Sequence, residues 1–218
     1  MIQAVIFDFD GVLLDTSDQL YQGYKKVFTR LNIDYKKEQF NENYGLKTKE
    51  HFKKVLSENN IRISNEELNK LVEERDIFYR GICNNLELLP GARKLLYELK
   101  NKNIKLGVAS STSRGNLNFF LPKLGLQDYF DHILAGNEVT RGKPHPEIYL
   151  TICDHLNIKP SYCVGIEDTD KGINALKSAN MKAVAVTLTN RKKYDFSKAD
   201  LIVRSLEELN WSKIKALF

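Results

Sequence analysis

Two aspartates, Asp8 and Asp10, interrupt an apolar stretch near the N-terminus that otherwise has the composition of a buried strand. Residues two positions apart in a strand point to the same side, so we expect the two carboxylates to lie together. Neighbouring carboxylates repel each other unless a cation or a proton compensates their charge. Gly11 follows directly and permits a sharp turn, which would place the pair at the carboxyl end of the strand, where open α/β sheets bind ligands. The pattern therefore predicts a site that binds a divalent metal.

Three further signals follow apolar stretches later in the chain. Ser110 and Ser111 end one such stretch and precede a helix, where hydroxyls and backbone N–H groups can hold a phosphate oxygen. Lys143 lies in a loop with two prolines and could neutralise phosphate while keeping the carboxylates ionised. Glu167 and Asp168 end another stretch, and Mg²⁺ prefers oxygen ligands of this kind. We expect all of these side chains to meet at one edge of a sheet.

Each signal also has a purely structural interpretation. Serines at strand ends commonly cap helices, and most loop lysines face solvent. Asp170 is expected to cap the helix that follows it, but a cap does not explain the adjacent Glu167 and Asp168. His145, which lies between the two prolines of the lysine loop, is interpreted as a loop residue without a chemical role.

The elements that must position these residues alternate along most of the chain. After the first strand the pattern stays helical to about residue 83, with one helix over 18–31 and another after the capping box at Ser64. From residue 89 onward helices and strands alternate, which predicts a parallel sheet with helices on both faces. Strands are predicted over 104–110, 132–135, 162–167, 183–187 and 201–203, and helices around 117–124, 147–156, from 170 and over 205–209. The leucines at 95, 96 and 99 share the face of a further helix.

The predicted fold class is therefore α/β, a doubly wound parallel sheet with a helical domain inserted after the first strand. Residues 1–16 and 84–218 are expected to form the core, and residues 17–83 the helical domain. The net charge of +5 comes from 33 basic and 28 acidic residues scattered along the 218-residue chain, which indicates a solvated surface and not a nucleic-acid interface. No apolar segment reaches the length of a membrane span, and no export signal is visible.

From these observations we expect a soluble, cytoplasmic protein that binds neither nucleic acid nor membrane. The sequence does not indicate an oligomeric state, and a monomer is the default expectation. The three cysteines, Cys83, Cys153 and Cys163, are interpreted as reduced thiols, because their number is odd and no two are close in sequence. Cys163 lies in an apolar run, which favours a buried filler over a nucleophile.

Taken together, the chain resembles the haloacid dehalogenase superfamily of phosphotransferases. Residues 8–12 are similar to the first motif of that family, Ser110 to the second, Lys143 to the third, and Glu167 with Asp168 to the fourth, in the same order. The helical segment between the first two motifs is similar to the small cap of the subfamily that contains β-phosphoglucomutases and phosphoglycolate phosphatases. The resemblance implies a Rossmann-like core and a phosphatase that acts on a small phosphorylated metabolite.

The resemblance also implies roles for individual residues. Asp8 is the implied nucleophile, which becomes a transient aspartyl phosphate. Asp10 is the implied acid and base, which protonates the leaving alcohol and then takes a proton from water. Mg²⁺ would be held by Asp8, Asp168 and the backbone carbonyl of Asp10, with Glu167 as an accessory ligand. The implied phosphate-binding residues are Ser110, Ser111 and Lys143.

The helical domain is implied to close over the site and to select the leaving group. Asp15 and Thr16 are similar to the hinge of such a cap. Lys47 and Lys49 lie in a segment where related caps present a basic residue to the far end of the substrate, and Lys49 is our candidate. Arg114, close to Ser110 in sequence, is a further candidate, although its position at a helix start explains it equally well.

Several alternatives stay open at this point. A sugar phosphomutase would return the phosphoryl group to its substrate, but mutases of the β-phosphoglucomutase type carry a histidine five positions after the hinge aspartate, where this chain has Leu20. Dehalogenase chemistry is less favoured, because those relatives lack the second acidic residue and the metal. A receiver-like signalling module would also gather Asp, Ser or Thr, and Lys, but its phosphorylated aspartate lies on a later strand. A binding protein without catalysis is the remaining alternative.

Overall fold

The computed structural model describes residues 1–84, 86–188 and 194–218. Six parallel strands form one sheet in the order β3-β2-β1-β4-β5-β6. The strands are β1 (Ala4–Phe7), β2 (Lys105–Ser110), β3 (His132–Ala135), β4 (Cys163–Glu167), β5 (Lys182–Val186) and β6 (Leu201–Val203). The α/β class with a parallel sheet is confirmed, and the five later strands lie within one residue of their predicted bounds.

Four helices between β1 and β2 form a segment that we call the helical insert: α1 (Ser17–Arg30), α2 (Lys37–Asn43), α3 (Thr48–Glu58) and α4 (Asn65–Ile82). The sequence predicted α1 and α4 but not α2 and α3. The short, polar α2 buries only Phe40 and Asn43, so its sequence carries too few apolar positions to show a helical period. The predicted domain bounds, 1–16 with 84–218 and 17–83, stay a prediction.

The remaining helices are α5 (Ala92–Lys100), α6 (Arg114–Lys123), α7 (Glu147–Leu156), α8 (Asp170–Ser178) and α9 (Trp211–Lys215). The expected helix over residues 205–209 is only a 3₁₀ turn, Leu206–Glu208, and the five-residue α9 was not predicted. Within the described part of the chain, no helix has both the length and the apolar character needed to cross a bilayer.

Helices cover both faces of the sheet, as the doubly wound prediction requires. Val5 and Phe7 of β1 pack in one cluster with the leucines of α5 and α6, whereas Ala4 and Ile6 pack in a second cluster with α7 and α8. Because both faces are buried, β1 carries four apolar residues without a polar alternation. Within β1, alternate side chains therefore enter opposite layers of the core.

The winding of the sheet places a crevice at the end of β1. Phe7 of β1 pairs with Val108 of β2 on one side and with Ile166 of β4 on the other. The strand order therefore runs outward from β1 in opposite directions, through β2 to β3 on one side and through β4 to β6 on the other. In open parallel sheets such a switch point leaves a crevice at the carboxyl ends of the strands. The residues that follow β1, β2 and β4 consequently face one another.

The two chain segments that join the helical insert to the core run side by side. Leu14 and Leu88 form an antiparallel bridge, and the amide of Leu89 donates to the carbonyl of Leu13 at 2.9 Å. Inside the insert, α1 packs against α4, and its aromatic residues Tyr24 and Phe28 pack against Phe52 of α3. The insert therefore has its own aromatic core above the crevice.

All three cysteines are free and buried, in agreement with the sequence. Cys153 and Cys163 are ten residues apart, and their sulfur atoms lie 3.6 Å from each other in the layer between α7 and the sheet. Both thiols are packed inside the core and away from the crevice.

Candidate active site

Lys143 connects two acidic strand ends. Its ammonium lies 2.9 Å from Oδ1 of Asp8, 2.6 Å from Oε1 of Glu167 and 3.1 Å from the carbonyl of Ala109, so all three of its N–H donors have acceptors. The side chain is only 2% exposed. Burial opposes the charge of this ammonium, but the carboxylates of Asp8 and Glu167 outweigh that effect and raise the pKa of Lys143. The lysine is therefore a fixed positive charge beside Asp8.

Glu167 is fully occupied by hydrogen bonds. Its Oε1 accepts from Lys143 and, at 2.5 Å, from the hydroxyl of Tyr149, while its Oε2 accepts from the amide of Asp168 at 3.1 Å and from the hydroxyl of Thr169 at 3.4 Å. A Cβ built on Gly172 of α8 would overlap this carboxylate, so only glycine leaves room for it there. These contacts fix the orientation of the Glu167 carboxylate, which in turn positions the Lys143 ammonium.

Three carboxylates form a group that could hold a metal ion. One oxygen each of Asp8, Glu167 and Asp168 lies within 4.8 Å of the others, and all three residues are buried. Burial raises the pKa of Asp8 well above its ordinary value, and Glu167 and Asp168 raise it further against the opposing effect of Lys143. Because one ammonium faces three carboxylates, a hard divalent cation fits both the charge and the oxygen donors of this group.

Gly11 holds the first turn close to this group. Its φ of +88° lies in the left-handed region, and a Cβ there would overlap the carboxylate of Asp168. The sharp turn that the sequence predicted after Asp10 is therefore present. It lets the loop after β1 pass directly over the end of β4.

Asp10 differs from its predicted geometry. The strand ends at Phe7, so the two-residue alternation does not apply, and the side chain of Asp10 does not belong to the three-carboxylate group found among the described residues. Its Oδ1 instead accepts from the hydroxyl of Thr16 at 2.7 Å and lies 3.3 Å from the hydroxyl of Tyr79 in α4. The strand alternation that was expected to place Asp8 beside Asp10 is therefore absent, although both residues line the same cavity. The observed contacts give Asp10 partners that are themselves proton donors.

The serines after β2 lie in the same crevice but differ in their contacts. Ser110 is buried, and its hydroxyl accepts from the amide of Thr112 at 3.2 Å. The hydroxyl of Ser111 donates to the carbonyl of Gly45 in the helical insert at 2.8 Å. Ser113 is the residue that caps α6, so Ser110 and Ser111 are not used as helix caps. Ser110, Ser111, Asp8, Asp10 and Lys143 line one cavity.

The wall opposite these residues comes from the helical insert. It includes an arginine, a histidine, a threonine and several apolar or aromatic side chains, namely Leu20, Tyr24, Phe40, Thr48, His51 and Arg75. Among these residues, the sequence pattern pointed only to Leu20. The sequence does contain an indication for Arg75. This residue recurs at helical spacing with Leu68, Leu71 and Tyr79 and therefore lies on the buried face of α4, where a solvent-exposed arginine is not expected.

Lys47 and Lys49 have different positions. The ammonium of Lys47 donates to the carbonyls of Val139 at 2.5 Å and Thr140 at 2.9 Å, and so fastens the insert to the core. Lys49 is exposed and does not line the cavity that contains Asp8. A lysine of the core, Lys171, makes the reciprocal contact with the carbonyls of Glu42 and Tyr44 in the insert.

Other candidates have structural partners. Arg114 donates to Glu138 at 2.6 Å and to the carbonyl of Ile133 at 2.6 Å, and it does not line the cavity that contains Asp8. His145 accepts from the amide of Glu147 at 3.2 Å, in line with its interpretation as a loop residue. Asp15 accepts from the amide of Ser17 at 3.1 Å, where α1 begins.

The expected cap of α8 is corrected by one residue. The hydroxyl of Thr169 accepts from the amide of Gly172 and caps the helix, and Asp170 is its first helical residue. Aspartate is the stronger capping residue by type, so the sequence favours Asp170 over Thr169. The correction leaves Glu167 and Asp168 free of any capping role.

Comparison with known proteins agrees with this geometry. Residues 5–186 match the family model described as "Haloacid dehalogenase-like hydrolase", which spans all the residues of the crevice. The chain belongs to the haloacid dehalogenase-like hydrolases. This match confirms the resemblance seen in the four motifs. It also confirms the expectation that the chain is an enzyme of a hydrolase family.

Curated relatives of this family include both mutases and phosphatases. The chain is 33% identical over 213 residues to the β-phosphoglucomutase of Bacillus subtilis, covering 95% of this chain and 92% of that protein. It is 34% identical over 185 residues to a phosphorylated carbohydrates phosphatase of Thermotoga maritima, covering 84% of each. Among solved structures, a β-phosphoglucomutase from Clostridium difficile superimposes with a TM-score of 0.90 and 34% identity, over 100% of this chain and 97% of that one.

Proposed function

We propose that this chain is a Mg²⁺-dependent phosphatase that hydrolyses a small phosphate monoester through a phosphorylated Asp8. The observation that supports this most directly is the buried Lys143 ammonium between Asp8 and Glu167, beside Ser110 and the acidic group, in one cavity. A fixed positive charge next to a carboxylate lets a phosphate dianion approach that carboxylate. The carboxylate can then act as the nucleophile.

The reaction would proceed in two balanced steps. An oxygen of Asp8 bonds to phosphorus while the bond between phosphorus and the leaving oxygen breaks, and Asp10 gives its proton to that oxygen. A water molecule then attacks the phosphorus, Asp10 takes the proton of the water, and the carboxylate of Asp8 leaves. The hydroxyls of Thr16 and Tyr79 keep Asp10 at the side of the leaving group throughout.

Asp8, Asp168 and the backbone of Asp10 would hold the divalent ion, with Glu167 in an accessory position. When bound, the ion supplies positive charge that reduces the repulsion between carboxylate and phosphate. Lys143, Ser110 and Ser111 would hold the oxygens of the phosphoryl group. The helical insert acts as a cap that excludes water, with Asp15 and Thr16 at its hinge.

Phosphorylated carbohydrates are the proposed substrate class. This rests on the names of the relatives, one a phosphatase of phosphorylated carbohydrates and the other a β-phosphoglucomutase, and on a cavity that is lined by the insert. The predicted monomer, cytoplasmic location and lack of nucleic-acid or membrane partners stay predictions.

A sugar phosphomutase is the second candidate, because a β-phosphoglucomutase is among the relatives and the solved structures. Leu20 favours hydrolysis over this alternative. Leu20 lines the cavity at the position where, by the resemblance, such mutases carry a histidine, so this position supplies no imidazole to exchange protons with a sugar hydroxyl. The histidine that does line the wall, His51, lies on α3 and stacks on Tyr24. The receiver-like module is not supported, because the chain belongs to a hydrolase family.

Phosphate release from a panel of sugar phosphates with and without Mg²⁺ tests the proposal. We expect turnover that requires the metal, and we expect β-glucose 1-phosphate to give free phosphate and not glucose 6-phosphate.

Asp8→Asn should lower turnover by at least about a thousandfold with an unchanged circular dichroism spectrum. Asp34→Asn, at an exposed aspartate, is the matched control and should keep full turnover. Full activity of Asp8→Asn would remove the nucleophile assignment.

A further inference from the structure

Tyr149 is a fully buried tyrosine of α7 that contacts both partners of the ion pair between Lys143 and Glu167. Its hydroxyl lies 2.5 Å from Oε1 of Glu167, and the centroid of its ring lies 5.2 Å from the ammonium of Lys143. A neutral phenol carries one proton and an ionised carboxylate carries none, so Tyr149 donates and Glu167 accepts. Tyr149 does not line the cavity that contains Asp8. Any effect of Tyr149 on a phosphoryl group there must therefore pass through other residues.

One oxygen of Glu167 receives two hydrogen bonds. Oε1 accepts from the ammonium of Lys143 at 2.6 Å and from the hydroxyl of Tyr149 at 2.5 Å, while Oε2 accepts from the amide of Asp168 at 3.1 Å. Hydrogen bonds to an ionised acceptor are stronger than those between neutral groups. The hydroxyl of Tyr149 therefore shares the negative charge of Oε1 with the ammonium, and it fixes the direction from which Glu167 holds Lys143.

The ring of Tyr149 covers a further side of the same ammonium. The three N–H donors of Lys143 are directed at Asp8, Glu167 and the carbonyl of Ala109. A cation within about 6 Å of the centroid of an aromatic ring is attracted to its face. A ring face attracts the ammonium without competing as strongly as an oxygen for its N–H groups, so the donor to Asp8 keeps its direction.

α7 holds Tyr149 against β4 through a second contact one turn away. Cys153 of α7 faces Cys163 of β4 with the sulfur atoms 3.6 Å apart, just as Tyr149 faces Glu167 further along the same strand. The two contacts are successive steps of one buried interface between helix and strand. Cys153 is therefore a suitable position at which to disturb the packing of this interface without changing the hydroxyl that bonds Glu167.

We infer that Tyr149 is a positioning residue for Lys143: its hydroxyl orients Glu167 and its ring confines the ammonium, so that Lys143 points at the phosphoryl group on Asp8. Because the role of Lys143 is part of the proposed function, the assignment of Tyr149 rests on that function. Charge that develops on the phosphoryl oxygens is stabilised best by donors that are already in place. Loss of the Tyr149 hydroxyl should therefore lower kcat more than it raises KM.

The first test uses two variants of Tyr149. Tyr149→Phe removes the hydroxyl and keeps the ring, and we expect it to lower kcat by about tenfold, the low end of the range for a hydrogen bond to a charged group, with less than about a threefold change in KM. Tyr149→Leu removes the ring as well and should lower kcat further. The loss should be equal for glucose 6-phosphate and p-nitrophenyl phosphate, because Lys143 acts on the group that both esters share.

Cys153→Ala is the matched control, since it changes the same interface one turn away. It should keep kcat within about twofold of the unmodified chain, even where urea unfolding shows that it lowers the stability of the fold as much as Tyr149→Phe does. An equal loss of kcat in Cys153→Ala and Tyr149→Phe would show that general packing of α7 is responsible, and the assignment of Tyr149 would be overturned.

A double-mutant cycle with Glu167→Gln separates positioning from packing. In the Glu167→Gln background, Tyr149→Phe should lower kcat by less than about twofold, because the charged carboxylate that the hydroxyl orients is already gone. The same tenfold loss in both backgrounds would mean that Tyr149 does not act through Glu167, which contradicts the inference.

Binding of orthovanadate tests the assignment without turnover. Orthovanadate can take the five-coordinate geometry of phosphoryl transfer, so its affinity should depend on the placement of Lys143. By isothermal titration calorimetry with Mg²⁺ present, we expect its Kd to be about tenfold higher in Tyr149→Phe than in the unmodified chain and unchanged in Cys153→Ala. If the unmodified chain hydrolyses neither ester, the proposed function fails. Equal orthovanadate affinities of the unmodified chain and Tyr149→Phe overturn the assignment of Tyr149, whether or not the esters are hydrolysed.

Discussion

The hydroxyl of Tyr79 lies 3.3 Å from Oδ1 of Asp10, although the two residues are 69 positions apart. The same hydroxyl lies 2.7 Å from Oγ1 of Thr16, which in turn donates to Asp10 at 2.7 Å. Because each hydroxyl carries one proton, the hydroxyl of Tyr79 donates to Thr16, and the hydroxyl of Thr16 donates to the carboxylate of Asp10. The position of α4 is thereby coupled to the position of the proposed proton donor.

We expect Tyr79→Phe to lower kcat by about tenfold while KM changes by less than about threefold, because the variant loses an orienting hydroxyl and no substrate contact. The ring should stay in place, since Tyr79 packs edge-to-face on Phe120 with centroids 5.0 Å apart. Steady-state kinetics on the best sugar phosphate is the measurement. Tyr97→Phe, at an exposed tyrosine, is the control. An unchanged kcat in Tyr79→Phe would show that Thr16 alone positions Asp10.

Mg²⁺ should stabilise the fold through the acidic group. A ligand that binds only the folded state raises the free energy of unfolding, by about 2.7 kcal/mol at a hundredfold excess over its Kd. We expect a higher Tm with Mg²⁺ for the unmodified chain and no such shift for Asp168→Asn, because Asp168 belongs to the group. Differential scanning calorimetry measures both.

Asp170→Asn is the matched control for this experiment, since Asp170 is two residues further along and begins α8. It should keep the full Mg²⁺ shift. An equal shift in Asp168→Asn would place the ion elsewhere.

The stability of the fold should decrease as the pH falls below about 6.5, partly because of His51. Burial lowers the pKa of His51 well below its ordinary value, and the nearby Arg75 lowers it further. Since the unfolded chain takes up this proton at a higher pH than the folded chain, the stabilisation is complete above the unfolded pKa and is lost on acidification. One such group contributes at most about 1.4 kcal/mol per pH unit.

Urea unfolding between pH 7.5 and 5.5 is the measurement, and His51→Gln should show a smaller decrease than the unmodified chain. His132, whose pKa is also lowered by burial and by His155, contributes to the slope in the same direction. An identical slope in His51→Gln and the unmodified chain would contradict the prediction.

Lys47 and Lys49 offer a matched pair for testing closure of the insert. Lys47→Met removes the two hydrogen bonds to the carbonyls of Val139 and Thr140, so we expect kcat/KM to fall by about three- to tenfold and the insert to become more sensitive to limited proteolysis. Lys49→Met should behave like the unmodified chain, because Lys49 is exposed. If Lys49→Met alone impaired turnover of sugar phosphates, Lys49 and not Lys47 would contact the far end of the substrate.

The sequence by itself determined the layers of the fold and the strand ends that carry the chemistry. Apolar runs such as residues 163–166 must be buried, and their period and length separate strands from helices without any knowledge of distant contacts. Because the strands are parallel, their carboxyl ends meet at one edge, which is why Asp8 and Asp168 could be placed together from the sequence.

Only the tertiary structure decided what faces those strand ends. Asp10 is contacted by Tyr79, which lies 69 residues away along the chain. Arg75 of α4 is contacted by Thr48 of α3. These side chains come together only because α1, α3 and α4 pack on one another. Local patterns report the burial of a residue but not its contacts, so Arg75 could be recognised as buried but not as part of the wall above Asp8. Side-chain contacts between elements depend on packing, which no local spacing encodes.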